Sequence, residues 1–240
     1  MGSLVRLDRF LAGAGCGTRS EVKQAVKKGQ VRVNGETAKA PDLKIDPDTD
    51  RILFMDEEVK KPEEFVYYLL NKPAGYLSAT EDRHAPTVLD LMPGVREGVF
   101  PVGRLDKDTE GFLLMTDDGM LAHRLLSPAR HVEKTYYARL DGLLDTEMVR
   151  RFEEGLDIGE KKPTLPALLE ILPPGTEAHI TLCEGKFHQV KRMFEAVGRK
   201  VLYLKRISMG GISLPEDLMA GEYRALTPEE LGILKRHGRA

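Results

Sequence analysis

Chemistry in this chain concentrates in three stretches. The first, residues 103–119, reads GRLDKDTEGFLLMTDDG and sets a basic side chain, Arg104, beside a carboxylate, Asp106, ahead of an apolar run. A carboxylate held in a turn at the rim of a sheet can be presented to a cleft, although an aspartate often only ties down its own turn. The second stretch, EKTYYARL at 133–140, carries Lys134 and Tyr136. The third is EGKFHQVKRMF at 184–194; from 185 to 206 there are seven Lys or Arg against one acid, Glu195. Such a basic helix either serves as a solvated face or meets an anionic partner. The two cysteines, Cys16 and Cys183, and the six histidines show no metal-ligand spacing, so no metal is expected.

These residues need a scaffold. Phe112–Met115 is too short for a capped core helix and reads as a buried strand, closed by the turn residues Asp117-Asp118-Gly119. Phe65–Leu70 reads as a second strand, running into the turn N-K-P-A-G at 71–75, where Pro and Gly suffice to explain the pattern and Lys72 is assigned no chemistry. Residues 79–99 form a polar loop with one helical turn at 89–92. A short helix is expected over 120–126, stopped at Ser127-Pro128, then a strand over 133–140. Met148, Phe152 and Leu156 mark an amphipathic stretch, and strands are expected at 167–172 and 178–182. Val190, Met193, Phe194 and Val197 make a helical stripe ended by Gly198, and a last short helix begins at Thr227.

The first 60 residues read as a separate module. Leu7, Phe10, Leu11 and Ala14 follow helical spacing, and Thr18-Arg19-Ser20-Glu21 is a capping box for a second helix. That helix buries Val22, Ala25 and Val26 and exposes Lys23, Lys27 and Lys28; Val31 and Val33 then alternate into Asn34-Gly35, a strong hairpin signal. Residues 1–45 hold nine Lys or Arg against four acids, whereas 46–64 turn acidic with Pro47 and Pro62, as a linker would. Over all 240 residues the net charge is −2, so any basic surface is local. No apolar stretch reaches the length of a membrane span, the Met1-Gly2-Ser3 start has no signal-peptide character, and the cysteine usage fits a reducing cytoplasm.

The 103–119 stretch resembles the signature of the RsuA/RluB/RluE/RluF family of RNA pseudouridine synthases, with Phe112 where leucine is usual. The N-K-P-x-G turn, the E-K-T-Y segment and E-G-K-x-H-Q-V-K-R-M resemble further motifs of that family. R-L-D-R-F-L, T-R-S-E, the basic helix and V-R-V-N-G resemble an S4 RNA-binding domain, which would grip phosphates. The resemblance implies an α+β chain: an S4 domain over about 1–60, a linker to about 64, and a catalytic domain over 65–240 with a mixed, mostly antiparallel sheet.

The family reaction breaks the N1–C1′ bond of a uridine, turns the base and rejoins it through C5, with no cofactor, metal or second substrate. By resemblance Asp106 is the catalytic carboxylate, attacking the sugar, attacking the base or removing a sugar proton. Tyr136 would stack on the flipped base and reach a proton with its hydroxyl. A cation at Lys191 would favour the ionised carboxylate, although other branches carry Arg there. Arg104 would hold the emptied position in the RNA, and Arg9, Arg19, Lys23, Lys27, Arg130, Lys134, Lys186 and Arg192 are further candidate RNA contacts. The partner implied is ribosomal RNA, free or in an assembling particle, met by a cytoplasmic monomer. S-P-A-R-H-V-E-K-T-Y favours the RsuA branch, acting on small-subunit (16S) rRNA, over the branches acting on 23S rRNA. Two other classes compete: a glycoside hydrolase, drawing its second acid from Asp108, Asp117 or Asp118, and a non-catalytic S4-type RNA-binding protein.

Overall fold

The computed structural model describes residues 4–59 and 65–237. The Met1-Gly2-Ser3 start and the linker residues 60–64, Pro62 included, lie outside them. The chain divides into two compact units, Met1–Glu64 and Phe65–Ala240.

In the first unit, strand β1 (Val5–Arg6) leads into helices α1 (Leu7–Gly13) and α2 (Arg19–Lys27), followed by β2 (Val31–Val33), β3 (Glu36–Thr37), β4 (Lys44–Ile45), β5 (Ile52–Phe54) and β6 (Glu57–Glu58). The capping box forms: Thr18 accepts from the Glu21 amide at 3.3 Å while the Glu21 carboxylate accepts from the Thr18 amide at 2.7 Å. Asn34 and Gly35 both adopt positive φ, 52° and 88°, the geometry that a tight β2–β3 hairpin demands. Leu7, Leu11, Val22, Val26, Val31, Ile45 and Ile52 make the core of this unit. Arg9, Arg19, Lys23 and Lys27 stay exposed, since each lies off the apolar stripe of its helix.

The second unit is built on one mixed sheet. Its elements in chain order are β7 (Tyr67–Lys72), β8 (Phe100–Pro101), β9 (Glu110–Thr116), α3 (Gly119–Leu126), β10 (Lys134–Leu140), α4 (Thr146–Glu154), β11 (Leu168–Leu172), β12 (Glu177–Leu182), α5 (Gln189–Ala196), β13 (Val201–Met209), β14 (Ile212–Ser213), β15 (Tyr223–Ala225) and α6 (Pro228–His237). Among the described residues the strand order is β11-β12-β10-β13-β9-β7-β15, with β14 on β13 and β8 on β9. Every pairing is antiparallel except β9 with β13. The expected mixed, mostly antiparallel sheet is present.

Three details separate the sequence reading from the fold. The strand expected at 65–70 runs from Tyr67 to Lys72, so Asn71 and Lys72 are strand residues and only Pro73, which lacks an N–H, ends the pairing. β13 has no apolar signature because Lys205 and Arg206 sit in its middle, yet it lies at the centre of the sheet. The amphipathic stretch marked by Met148, Phe152 and Leu156 is helical only as far as Glu154, because Gly155 takes φ 88° and packs onto the Thr164 carbonyl.

Packing fixes the elements beside the site. Phe152 and Phe194, 5.1 Å between centroids, lock α4 and α5 onto β10 and β12. Phe112 and Leu114 face α3 and α6, while Leu113 and Met115 face the loop carrying Val88 and Met92. β9 is thus buried on both faces, which is why it reads as an unbroken apolar run.

Candidate functional site

Asp106 is positioned from below by Lys72. This lysine is fully buried at the end of β7, and its Nζ donates to the carbonyls of Pro73 (3.1 Å), Asp106 (3.1 Å), Lys107 (3.3 Å) and Thr109 (2.8 Å). One ammonium therefore organises the whole 106–109 turn, which closes through Thr109 N–H to the Asp106 carbonyl. Burial pushes Lys72 down to about 8, with the charges of Asp108, Asp106 and Glu110 pulling the other way. Ser78 fixes the preceding residue, donating to the Leu105 carbonyl at 2.9 Å and accepting from its amide at 3.0 Å. The turn enters β9 at Gly111, whose φ of 99° and lack of a side chain let β13 approach. A Cβ there would lie 2.2 Å from the Arg206 carbonyl oxygen.

The Asp106 carboxylate faces the start of α5. Lys191 Nζ lies 2.9 Å from Oδ2, and His188 Nε2 lies 3.5 Å from Oδ1. The same ammonium reaches Asp108 Oδ1 at 2.6 Å. Burial of Lys191 opposes its charge, but the bonds to Asp108 and Asp106 outweigh this and raise its pKa. The bond from Lys191 holds Asp108 below the usual carboxylate range, against a smaller cost of burial. His188 itself is set by a left-handed backbone, φ 49° and ψ 33°, ahead of α5. Gln189 staples the loop in front: its side-chain oxygen accepts from the Lys186 amide at 2.8 Å, and its side-chain nitrogen donates to Glu184 at 2.7 Å.

Tyr136 reaches the same place from β10. It lines one cavity together with Arg104, Asp106, Lys186, His188 and Lys191. The Arg206 guanidinium lies 6.0 Å from its ring centroid, and Arg206 Nε donates to the Phe112 carbonyl at 2.8 Å. A buried cation behind the ring fixes Tyr136 by contact with its π-face.

The other expected contacts divide. Arg104 is exposed at the mouth, with no hydrogen bond or ion pair to another described residue. Arg130 is exposed on a short 3₁₀ turn, Pro128–Arg130. Two of the expected RNA contacts are corrected by the structure. Lys134 is buried, its Nζ donates to the Val132 carbonyl at 2.6 Å, and burial pushes it down to about 8, so it supports the strand and is not presented to a phosphate. Arg192 is spent on protein acceptors: Glu160 (2.8 Å), the Phe187 carbonyl (3.0 Å) and the Ile158 carbonyl. Lys186 lines the cavity, yet its Nζ donates to the carbonyls of Lys162 (3.2 Å) and Pro163 (3.0 Å). Lys72 and His188 are site residues that the sequence reading left without a role, and Asp108, weighed there only as a hydrolase's second acid, binds Lys191. The signal that could have found the histidine is its place inside the E-G-K-x-H-Q-V-K-R-M stretch.

The alternative acids are engaged elsewhere. Asp117 accepts from the Val66 amide at 2.9 Å and pairs with Arg96, while Asp118 caps α3 through the Leu121 amide at 2.9 Å and accepts from the Tyr67 hydroxyl at 2.8 Å. Neither lines the cavity of Asp106.

A carboxylate–lysine pair beside an aromatic hydroxyl, on a mixed sheet and in a chain that also holds a basic helical module, has the parts of an enzyme acting on nucleic acid. The comparisons are specific. Residues 66–196 match the RNA pseudouridylate synthase family and residues 5–51 match the S4 domain. The chain is 49% identical over 235 residues to "Uncharacterized RNA pseudouridine synthase YtzG" of Bacillus subtilis, covering 96% of this chain and 98% of that protein. It is 40% identical over 229 residues to "Ribosomal small subunit pseudouridine synthase A" of Escherichia coli, covering 95% and 98%. A solved "pseudouridylate synthase" crystal structure, 40% identical, superposes with a TM-score of 0.69 over 96% of this chain and 99% of that one. This chain belongs to the RNA pseudouridylate synthase family, with an S4 domain at its N-terminus: it is an RNA-modifying isomerase and not a glycoside hydrolase. Among the described residues no helix is long and apolar enough to cross a membrane.

Proposed function

We propose that this enzyme converts one uridine of small-subunit (16S) ribosomal RNA to pseudouridine, with Asp106 as the catalytic carboxylate. The pairing of Asp106 Oδ2 with Lys191 Nζ at 2.9 Å, in the cavity that Tyr136 lines, carries the chemical reading. The choice of RNA rests on full-length similarity to relatives named for the ribosomal small subunit.

In the net reaction the N1–C1′ bond breaks, a C5–C1′ bond forms, the proton on C5 leaves and N1 gains one. Nothing is oxidised and nothing is added, so the protein must supply a charged group, a proton carrier and a place for the base to turn. Lys191 pairs with the Asp106 carboxylate and orients it, whichever atom that carboxylate engages. Tyr136, backed by Arg206, stacks on the flipped uracil and holds its hydroxyl near the ring. Flipping a stacked base costs a few kcal/mol. Arg104, at the mouth, offsets part of this by occupying the emptied position, and Arg9, Arg19, Lys23, Lys27, Arg130 and Lys186 contribute the weaker, sequence-independent grip on phosphates. The working form is a cytoplasmic monomer, and the substrate is the rRNA itself or an assembling subunit. The functional boundary between the two domains falls in the acidic linker ending near residue 64.

The test is pseudouridine mapping of ribosomal RNA from cells lacking the gene, complemented with wild type or Asp106→Ala. Loss of one small-subunit pseudouridine, restored only by wild type, is the expected result. Loss at a large-subunit site overturns the choice of RNA and keeps the chemistry. Restoration by Asp106→Ala overturns the role of that carboxylate and leaves RNA binding as the protein's contribution.

A further inference from the structure

One aromatic side chain is displayed where the sheet and helices have no use for it. Phe187 is 74% exposed, yet it is stacked on the His188 ring with centroids 3.8 Å apart and 19° between planes. His188 lines the cavity and touches Asp106, whereas Phe187, stacked on the His188 ring, does not line it. The loop that carries the pair is preformed. Gln189 bonds the Lys186 amide and Glu184, Arg192 donates to the Phe187 carbonyl at 3.0 Å, and Lys186 Nζ is anchored on the carbonyls of Lys162 and Pro163. His188 holds a left-handed conformation (φ 49°) that carries a backbone cost for a residue with a Cβ. These tethers hold the loop with its phenyl ring in water.

We propose that Phe187 is a stacking platform for a nucleobase flanking the target uridine, with His188 bracing it from the cavity side. The platform rests on the enzyme reading given under Proposed function and adds to it a site for the neighbouring base. A planar, rigid aromatic face beside a basic opening suits a nucleobase: every base offers a π-face, and stacking needs no sequence-specific hydrogen bond. Arg104 at the same mouth supplies the charge that draws the phosphate chain across it. Arg104 fills the position the flipped base leaves, and a flanking base displaced from the strand toward the opening regains its lost stacking on the phenyl face. Phe187 is accordingly a positioning residue: it helps hold the RNA open but touches no reacting atom.

The chain contains no tryptophan, so Phe187→Trp creates a single fluorescent reporter at the platform. The experiment adds full-length small-subunit rRNA transcript to Phe187→Trp and follows quenching. In parallel, tritium release from [5-³H]uridine-labelled transcript is measured for wild type, Phe187→Trp and Phe187→Ala. Expected are quenching that saturates with RNA, near wild-type turnover for Phe187→Trp, and for Phe187→Ala a KM raised roughly tenfold, the scale of one missing stack, with kcat within about twofold. Phe187→Ala should melt with wild type, because the ring packs on no core residue. An active wild type together with an unquenched tryptophan, or with an unchanged KM in Phe187→Ala, overturns the platform. A wild type inactive on this RNA, on large-subunit rRNA and on particles assembled from either RNA with ribosomal proteins instead overturns the enzyme reading on which the platform stands.

Discussion

The ammonium of Lys72 lies directly under the backbone of Asp106, donating to its carbonyl oxygen at 3.1 Å while also serving three neighbouring carbonyls. A residue in a Pro-Gly turn motif, 34 positions earlier in the chain, therefore sets where the carboxylate stands. The N-K-P-A-G turn and the GRLD turn are two halves of one device.

Removing that ammonium leaves buried carbonyls without a donor. Lys72→Met is expected to cost about 3 kcal/mol, since each orphaned buried group costs about 1–3 kcal/mol. Urea denaturation measures it, and activity corrected for the folded fraction should also fall because the 106–109 turn loosens.

Asp106 and Asp108 both bind Lys191, but only Asp106 faces the cavity. Asp106→Asn should lower kcat on the order of 10⁴-fold, as loss of a central catalytic group does. Asp108→Asn should keep kcat within about threefold, because its pair is exposed and screened. Single-turnover kinetics on labelled rRNA separate the two; equal losses would sink the assignment of Asp106 as the reacting carboxylate.

The pH dependence of that cluster has a definite sign. Asp108 titrates below its ordinary 3.8, so its contribution to stability is present above that value and is lost as pH falls through the lowered one. Lys191 titrates above its ordinary 10.5, so its contribution is full below that value and is lost as pH rises through the raised one. Asp108→Asn should remove the acidic part of this dependence. Comparing melting of wild type and variant from pH 7 down to pH 3 checks it: the difference between them should shrink at the acid end.

Gly111 should tolerate no side chain. Its φ is 99°, and a Cβ would stand 2.2 Å from the Arg206 backbone oxygen, on a pair of central strands where neither backbone can yield cheaply. Gly111→Ala is expected to cost more than about 3 kcal/mol, summing left-handed strain and overpacking. A variant within ~1 kcal/mol of wild type, the size of an ordinary substitution's effect, would contradict the close approach of β9 and β13.

The exposed basic face of α1 and α2 should set affinity without setting chemistry. Lys23→Ala with Lys27→Ala is expected to reduce the salt dependence of rRNA binding by about one unit of slope for each phosphate left unneutralised. Titrations at several salt concentrations read the slope, and kcat at saturating RNA should hold.

Much of the protein was legible in its sequence because local physics was strong there. Thr18 and Glu21 are three apart and cap a helix whatever surrounds them, Asn34-Gly35 turns a hairpin by its backbone preference, and Phe112–Met115 has to be buried. Asp106, Tyr136 and Lys191 could be named as a set from their motifs. Three things waited for the tertiary structure. β13 hides because its central residues are charged, and only the burial of Arg206 against Phe112 and Tyr136 makes it a core strand. Lys134 and Arg192 look like surface cations, yet neighbouring carbonyls and Glu160 claim their charges. Lys72 looks incidental in a Pro-Gly turn, and three of its four acceptors come from residues brought beneath it by the pairing of β7 with β9. Spacing along the chain fixes which groups are present, whereas the acceptors that surround a charge come from distant segments, so the charge's role is settled only when the sheet closes.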